Sequence, residues 1–478
     1  MHPPHSFHER LHEIDSMNTT YDALIVGTGQ AGPSLAGRLN DAGQRVAVIE
    51  RDKIGGSCVN VGCTPTKALV ASARAAHVAR RAADFGVVLE SPVRIDMARV
   101  HARMSEISGQ SSRGLTSWME GMQNVELVRG HARFVDPRAV EVDGRVLEAE
   151  RVFLNVGARP VVPQVPGLSD VPYLTSNGLL RLDTLPEHLV ILGGSYVGLE
   201  FAQIFRRFGS RVTVIETGPR LIRREDGDVS AGVRELLEAE GVRVKTSAEC
   251  LSAQPHRGGV ALQVGCNGGE QELTGSHLLV AVGRRPNTDD LGLGQAGIHT
   301  DARGYVETDD ELRTNVSGVW ALGDVNGRGA FTHTSYNDFE IVAGNLLDGA
   351  KRRVSDRIPV YGLFVDPPLG RVGMTEAQAR ESGRRVLVGK WPMSNVSRAR
   401  ERSETHGFLK VLVDADTDEV LGAAAFGIGG DEVVHTLLML MAAKAPYTLL
   451  SQTVFIHPTV SELLPSTVQN LVPLEEAS

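Results

Sequence analysis

The chain has 478 residues, of which 42% are hydrophobic and 22% charged, a composition that supports about two to four domains with a substantial core. A formal net charge of -9 argues against a nucleic-acid partner, and no apolar run approaches the length of a membrane span, so no membrane partner is expected either. With only four cysteines and no apolar signal core before Tyr21, the expected compartment is the cytoplasm, where a close cysteine pair is more often catalytic than structural.

Residues 1–20 carry His2, His5, His8 and His12 but read as a disordered leader, with Met17 an alternative start, and no metal site is expected there or elsewhere. A buried-strand pattern, Tyr21 to Val26, then runs into Gly27-Thr28-Gly29-Gln30-Ala31-Gly32. A helix is expected to Gly43, and a strand from Arg45 to Ile49 that ends on Glu50. This is a complete dinucleotide-binding unit: Gly27, Gly29 and Gly32 permit a tight turn and close approach of a pyrophosphate to the helix start, and Glu50 accepts hydrogen bonds from a ribose.

The next stretch, Gly55-Gly56-Ser57-Cys58-Val59-Asn60-Val61-Gly62-Cys63-Thr64-Pro65-Thr66-Lys67, holds two of the four cysteines. A helix is expected to start here, with Thr64 as its N-cap and Pro65 at its first position. Their spacing lets the two sulfurs meet, and amides at a helix start lower the pKa of a thiolate on Cys63. Two buried cysteines or half a metal site are the alternatives, although no second cluster stands nearby to complete a tetrahedral site.

The dinucleotide unit recurs downstream. The run Leu189 to Leu192 leads into Gly193-Gly194-Ser195-Tyr196-Val197-Gly198, and Val212 to Ile215 ends on Glu216. First glycine and carboxylate are 23 residues apart in both copies, 27 to 50 and 193 to 216. Two such units imply two nucleotides and electron transfer between them. Ser195 stands where the first copy has a glycine, and Cys250 and Cys266 read as packing. Beyond residue 356 the pattern changes to an antiparallel sheet with helices: Tyr361 to Met374, Lys410 to Val413, Val420 to Phe426 and an apolar helix from Asp431 to Lys444. The last motif is Phe455-Ile456-His457-Pro458-Thr459-Val460-Ser461-Glu462. A histidine titrates near neutral pH, and a carboxylate bonded to it fixes its tautomer and raises its basicity, as a thiol-handling acid/base requires.

Together these motifs resemble the class I pyridine nucleotide-disulfide oxidoreductases, the family of lipoamide dehydrogenase, glutathione reductase and mercuric reductase, over residues 21 to about 470. The resemblance implies an α/β fold: two Rossmann-like domains, for FAD and NAD(P), plus a C-terminal α+β dimerisation domain. The implied bounds are 21–160 and 286–356 for the FAD and central parts, 161–285 for the NAD(P) domain and 357–478 for dimerisation.

It further implies that Cys58 and Cys63 form a redox-active disulfide, with Cys63 in charge-transfer contact with the flavin and Cys58 exchanging with substrate. Lys67 and Glu200 match the ion pair at the flavin and nicotinamide. Thr314 to Asp324 resembles the second FAD signature, with Gly323 beside Asp324, which would hold the ribityl chain. Arg51, Gly56, Ser57, Gly130, Ala132, Gly157 and Arg284 are implied at the flavin nucleotide, and Gly193, Ser195, Tyr196, Gly198, Glu216 and Gly283 at the nicotinamide nucleotide. Tyr196 is either a cover for the nicotinamide pocket or a helix-start aromatic packed on the sheet. Glu216 favours NADH by repelling a 2′-phosphate, with NADPH the alternative that Arg220, Arg223 and Arg224 keep open.

By the same resemblance the protein is a homodimer whose His457 and Glu462 serve Cys58 of the partner subunit, and a cis bond is expected before Pro458. The electron acceptor is expected to be a small oxidised sulfur species or similar electrophile. The likeness runs to reactive-chlorine-resistance flavoenzymes that reduce hypothiocyanous acid, through Val365 to Glu376 and Ser397-Arg398-Ala399-Arg400. Dihydrolipoamide dehydrogenase, as a component of a 2-oxoacid dehydrogenase complex, and a mercuric or other metal-ion reductase are the alternatives. Phe455 and the Thr-Pro-Thr-Lys continuation of the cysteine loop depart from the first, and a tail without cysteine and a histidine at 457 depart from the second.

Overall fold

A computed structural model of the chain describes residues 19–266 and 269–476. The leader expected over residues 1–20 lies outside them through residue 18, as does the side chain of Cys266. The chain divides into two compact units: one takes the chain up to Pro65, Arg103–Val161 and Gly283–Arg357, the other Thr66–Ala102, Val162–Val282 and Ile358–Ser478.

In the first unit, the strand Thr19–Val26 pairs in parallel with Val46–Glu50 on one side and Arg145–Leu154 on the other. Val125–Arg129 extends the parallel sheet beyond Val46–Glu50, and Val319–Ala321 joins it beside Arg145–Leu154. The short antiparallel strands Ala139–Val142 and Arg133–Asp136 complete seven strands. Strands buried on both faces need near-continuous apolar runs, and Ala23, Leu24 and Ile25 are fully buried. Leu35, Ala36 and Leu39 of the helix Gly32–Asp41 cover one face together with Phe153 and Ile341, while Val152, Phe134 and Leu291 fill the other.

The second unit repeats the pattern at smaller scale. His188–Leu192 is flanked in parallel by Arg211–Ile215 and His277–Val280, with Arg243–Lys245 and Tyr173–Leu174 at the edges. The helix Tyr196–Phe208 packs Leu199, Phe201, Ala202 and Phe205 inward. A six-stranded antiparallel sheet follows, ordered Val360–Leu363, Leu369–Gly373, Val420–Phe426, Phe408–Asp414, Val386–Pro392 and Val472–Pro473. The helix Gly430–Ala442 lies against it through Val433, Val434 and Leu437.

One expectation fails locally. The helix of the cysteine stretch begins at Cys63 itself and runs to Arg80, and a separate short helix, Gly56–Val61, precedes it. Thr64 and Pro65 therefore lie inside the first turn, and neither the cap expected at Thr64 nor the first position expected at Pro65 is where the helix starts. The first turn tolerates a proline wherever an N–H would be unpaired, so Pro65 does not fix the start to one residue.

Candidate active site

The two dinucleotide units are built alike down to single hydrogen bonds. In the first, Glu50 accepts from the backbone N–H of Thr28 at 2.9 Å and of Asp52 at 2.8 Å. In the second, Glu216 accepts from Gly194 at 2.8 Å and Gly218 at 2.7 Å, the corresponding positions. Each carboxylate is thus held at its strand end by the glycine turn before the helix and by the residue two beyond itself. Only glycine fits the first position of either turn: a Cβ on Gly27 would lie 2.5 Å from the Asn155 carbonyl, and one on Gly193 2.4 Å from that of Ala281.

The first unit accommodates a dinucleotide at this turn. A Cβ on Gly56 would come within 3.0 Å of Gly29 Cα, so two side-chain-free backbones line a cradle at the start of the helix Gly32–Asp41, the geometry that takes a pyrophosphate. Asp324 sits in the turn Gly323–Asn326; burial raises its pKa, and Arg284 Nε, 3.5 Å away, opposes that. A half-buried carboxylate with an ion partner suits hydroxyl donors of a sugar-like chain. Arg284 also donates to the carbonyl of Ala158. The remaining residues implied for the flavin nucleotide are placed as follows. Arg51 is exposed and paired with Asp290 at 2.8 Å, while Gly130 N–H donates to the Glu50 carbonyl. Ala132 is buried in the core, so only its backbone can serve a ligand, and Ser57 is exposed. Gly157 accepts from Asn287 and Gly283 from Val161, where the strands Ala158–Pro160 and Arg284–Pro286 pair.

Cys58 is half-buried and Cys63 exposed. The Thr332 hydroxyl lies 3.0 Å from Cys58 Sγ and 3.2 Å from Cys63 Sγ, at the start of the helix Thr332–Leu347. Hydrogen bonding with Cys63, then burial, push the Cys58 thiol far above the ordinary thiol range; Thr332 acts the other way. Sequence reasoning missed Thr332, which stands 274 residues from Cys58. The one signal for it was its place a few residues beyond Asp324.

In the second unit, Lys67 Nζ donates to Glu200 Oε2 at 2.8 Å and lies over the Phe364 ring, 4.5 Å from its centroid. Glu200 Oε1 takes the backbone N–H of Phe364 at 3.0 Å, so both oxygens are engaged. Seven residues along each helix stand Arg74 and Arg207, joined through the two oxygens of Asp366. Gln203 spans the middle, accepting from Asp366 N at 2.7 Å and donating to its carbonyl at 2.8 Å. Glu404 and Glu240 close the ends, at 2.7 Å from Arg74 and from Arg207. The helices Cys63–Arg80 and Tyr196–Phe208 are therefore tied by two polar rungs, with the segment 364–366 laced between.

Tyr196 stands edge-on to Tyr361, ring centroids 5.8 Å apart, and both hydroxyls reach Glu225 Oε1, at 3.5 and 2.6 Å. Burial raises the pKa of both phenols. The partner of Tyr196 is thus a tyrosine of the six-stranded sheet. Ser195 is exposed and Gly198 buried. At the other end of the unit His457 Nδ1 is 2.9 Å from Glu462 Oε2 and 3.1 Å from Oε1, and the His457–Pro458 bond is cis. Val454, Ile456 and His457 are 96%, 79% and 72% exposed, an apolar strip around the imidazole that none of the described residues covers. No helix among the described residues is long and apolar enough to cross a membrane. The acidic group Asp226, Asp228 and Glu376, which could have suggested a metal, is filled by Lys410 Nζ at 2.9, 2.7 and 2.5 Å.

Two dinucleotide units, with a thiol pair beside the first, define a two-nucleotide redox protein. Residues 21–338 match the family model for pyridine nucleotide-disulphide oxidoreductases and residues 360–468 that for the dimerisation domain of the same family. The chain belongs to that family and is a flavin-dependent pyridine nucleotide-disulfide oxidoreductase. It is 38% identical over 452 residues to the probable pyridine nucleotide-disulfide oxidoreductase RclA of Escherichia coli, covering 93% of this chain and 98% of that one. It is 34% identical to a mercuric reductase of Streptomyces lividans (94% and 95% covered) and 33% to a dihydrolipoyl dehydrogenase of Thermus scotoductus (93% and 95%). Among solved structures, the HOCl-induced flavoprotein disulfide reductase RclA from Escherichia coli superposes with a TM-score of 0.85 at 36% identity, covering 96% of this chain and 100% of that one.

Proposed function

We propose that the enzyme is an NADH-dependent, cytoplasmic homodimer that reduces a small oxidised sulfur species of the hypothiocyanous acid type through Cys58 and Cys63. The observation that carries this reading is the cluster of two thiols sharing the Thr332 hydroxyl. Similarity to an HOCl-induced disulfide reductase supports the acceptor class. In this reading residues 21–160 and 286–356 hold FAD, with Glu50 and Asp324 on its hydroxyls, residues 161–285 hold NADH on Glu216, and residues 357–478 form the dimer. FAD bound there would supply the two-electron relay between a reduced nicotinamide and the cysteine pair.

The chain's own residues then do the following. Cys58 thiolate attacks the sulfur of hypothiocyanous acid, forming an S–S bond as the S–O bond breaks. His457 of the partner subunit, steadied by the partner subunit's Glu462, gives its proton to the leaving hydroxide, which departs as water. Cys63 thiolate attacks the Cys58 sulfur, closing the disulfide and releasing thiocyanate. Thr332 stabilises whichever sulfur carries the charge, and the exposed strip at Val454 and Ile456 is the surface a second subunit covers.

The test is anaerobic reduction of the FAD-loaded protein by NADH and by NADPH, followed by mixing with hypothiocyanous acid, lipoamide, glutathione disulfide and mercuric ion. Fast reoxidation by hypothiocyanous acid after faster reduction by NADH is expected. Reoxidation by lipoamide alone would refute the acceptor, and a Cys63→Ser variant that kept long-wavelength charge-transfer absorbance on reduction would refute the cysteine roles.

A further inference from the structure

The loop that presents His457 is held from one side by its own chain neighbours. Glu462 takes Nδ1, Thr459 Oγ1 donates to the Ile456 carbonyl at 2.7 Å, and Thr459 N–H reaches Glu462 Oε1 at 3.3 Å. These contacts span at most five residues, so they shape the loop without fixing it to the fold. The long-range hydrogen bond comes from Arg398, whose Nη2 donates to the carbonyl of Pro458, the residue after the histidine, at 2.7 Å across 60 residues of chain.

Arg398 has a rigid base. It lies on the helix Ser397–Glu401, and the residues around it, Met393, Val396 and Ala399, are fully buried in the core of the six-stranded sheet. Met393 N–H donates to the Gly407 carbonyl at 2.9 Å, closing this excursion between the strands Val386–Pro392 and Phe408–Asp414. Nε of the guanidinium lies 3.3 Å from Glu401 Oε2, an ion pair without a hydrogen bond at Nε. A planar fork held at one edge and donating from the other fixes both the distance and the direction of the carbonyl it meets. Glu462 therefore sets the tautomer of the imidazole and Arg398 sets where the imidazole stands, leaving Nε2 free for substrate.

We infer that Arg398 is a positioning residue for His457, acting through the Pro458 carbonyl; the inference rests on the acid/base role given to His457 above. Misplacing an acid/base group by a fraction of an ångström lowers the rate of proton transfer without touching steps that do not use it. The test compares Arg398→Met, Arg398→Lys and His457→Ala in the full-length, FAD-loaded dimer, with dimerisation checked by light scattering. Two steps are followed: reduction by NADH under anaerobic conditions, and reaction of the reduced enzyme with 5,5′-dithiobis(2-nitrobenzoate) as a function of pH.

Arg398→Met is expected to slow the thiol-exchange step about tenfold and to weaken its pH dependence, with flavin reduction within about twofold of the parent. Arg398→Lys, which keeps one donor to the carbonyl, is expected to recover part of the loss. The inference is overturned if exchange is unchanged in Arg398→Met while His457→Ala slows it, if flavin reduction falls in step with exchange, if Lys rescues nothing, or if the Met variant is a monomer. Unchanged exchange in His457→Ala would instead remove the acid/base reading itself.

Discussion

The double rung between the helices Cys63–Arg80 and Tyr196–Phe208 can be weighed with one substitution, Asp366→Ala. The Asp366 and Arg207 side chains are 9% and 5% exposed, so their attraction is little screened, and removing one partner leaves a buried charge behind. Breaking such a pair costs about 3–5 kcal/mol. Here Glu240 still pairs with Arg207 and Glu404 with Arg74, and Gln203 still binds the backbone of residue 366, which places the loss near the lower bound. At about 2 °C of melting midpoint per kcal/mol for a unit of this size, a loss of about 3 kcal/mol lowers the transition by about 6 °C.

The control is another close ion pair with the opposite burial. Arg211 and Glu187 meet at 2.7 Å with 64% and 80% of their side chains exposed, where a pair contributes about 0–1 kcal/mol. Glu187→Ala should therefore move the midpoint by about 2 °C or less, on the same conversion. Differential scanning calorimetry of both variants in one buffer decides the matter. Equal shifts would refute the argument that burial, and not the number of close ion contacts, sets the contribution of this network.

Two further substitutions have outcomes set by the same kind of contact. Thr332→Val removes the hydroxyl that meets both sulfurs; a hydrogen bond to a charged group contributes about 1.5–3 kcal/mol, so the pH at which the reduced enzyme gains thiolate absorbance should rise by about one unit or more. An unmoved titration would show that the hydroxyl does not donate to the thiolate. Lys410→Met tests the acidic group around it. Burial tends to raise the Asp226 and Asp228 pKa values, and Arg371, Lys410 and Lys390 outweigh it, leaving both depressed. Their contribution is then present above about pH 4 and lost as pH falls through the folded-state values. Without Lys410 the crowded carboxylates bind protons more tightly, so the stability deficit of the variant should be largest at neutral pH and shrink towards pH 4. A deficit that did not change with pH would refute the charge balance.

What could be read from the residues alone divides by range. The glycine turns, the strand-end carboxylates and the His457–Glu462 pair were legible because their partners lie within 23 residues and the backbone periodicity dictates their register. Of the antiparallel strands after residue 356, Phe408–Asp414 and Val420–Phe426 lie within two residues of expectation, whereas Tyr361 to Met374 is divided into Val360–Leu363 and Leu369–Gly373, and Val386–Pro392 and Val472–Pro473 were not expected. The helix start was misplaced because Thr64 and Pro65 are as acceptable inside a first turn as at its edge. The contacts of Thr332, Phe364, Asp366 and Arg398 were out of reach for another reason, although Asp366 and Arg398 lie in the two stretches that carried the subgroup likeness. Each meets its partner across 60 or more residues of chain, by a single hydroxyl, carboxylate, guanidinium or backbone N–H. Nothing local distinguishes such a residue from its exposed counterparts.

Ser195 shows how the two copies of one motif can differ for a physical reason. Its counterpart Gly29 has no room for a side chain: a Cβ there would lie 2.6 Å from Asn155 Oδ1. That amide cannot move aside, because Asn155 is buried, accepts from Gly32 N–H at 3.0 Å and donates to the Leu322 carbonyl at 2.9 Å. Asn155 thus locks the first glycine turn to the strand end and to the chain entering the Asp324 turn, at the cost of requiring glycine at 29. In the second copy Ala281 takes the place of Asn155 against the first glycine of the turn, and an alanine has no amide to reach forward. The middle position is then open to a small side chain, so a serine there is the expected consequence of an alanine 86 positions further on, and leaves the carboxylate clamp of Glu216 intact.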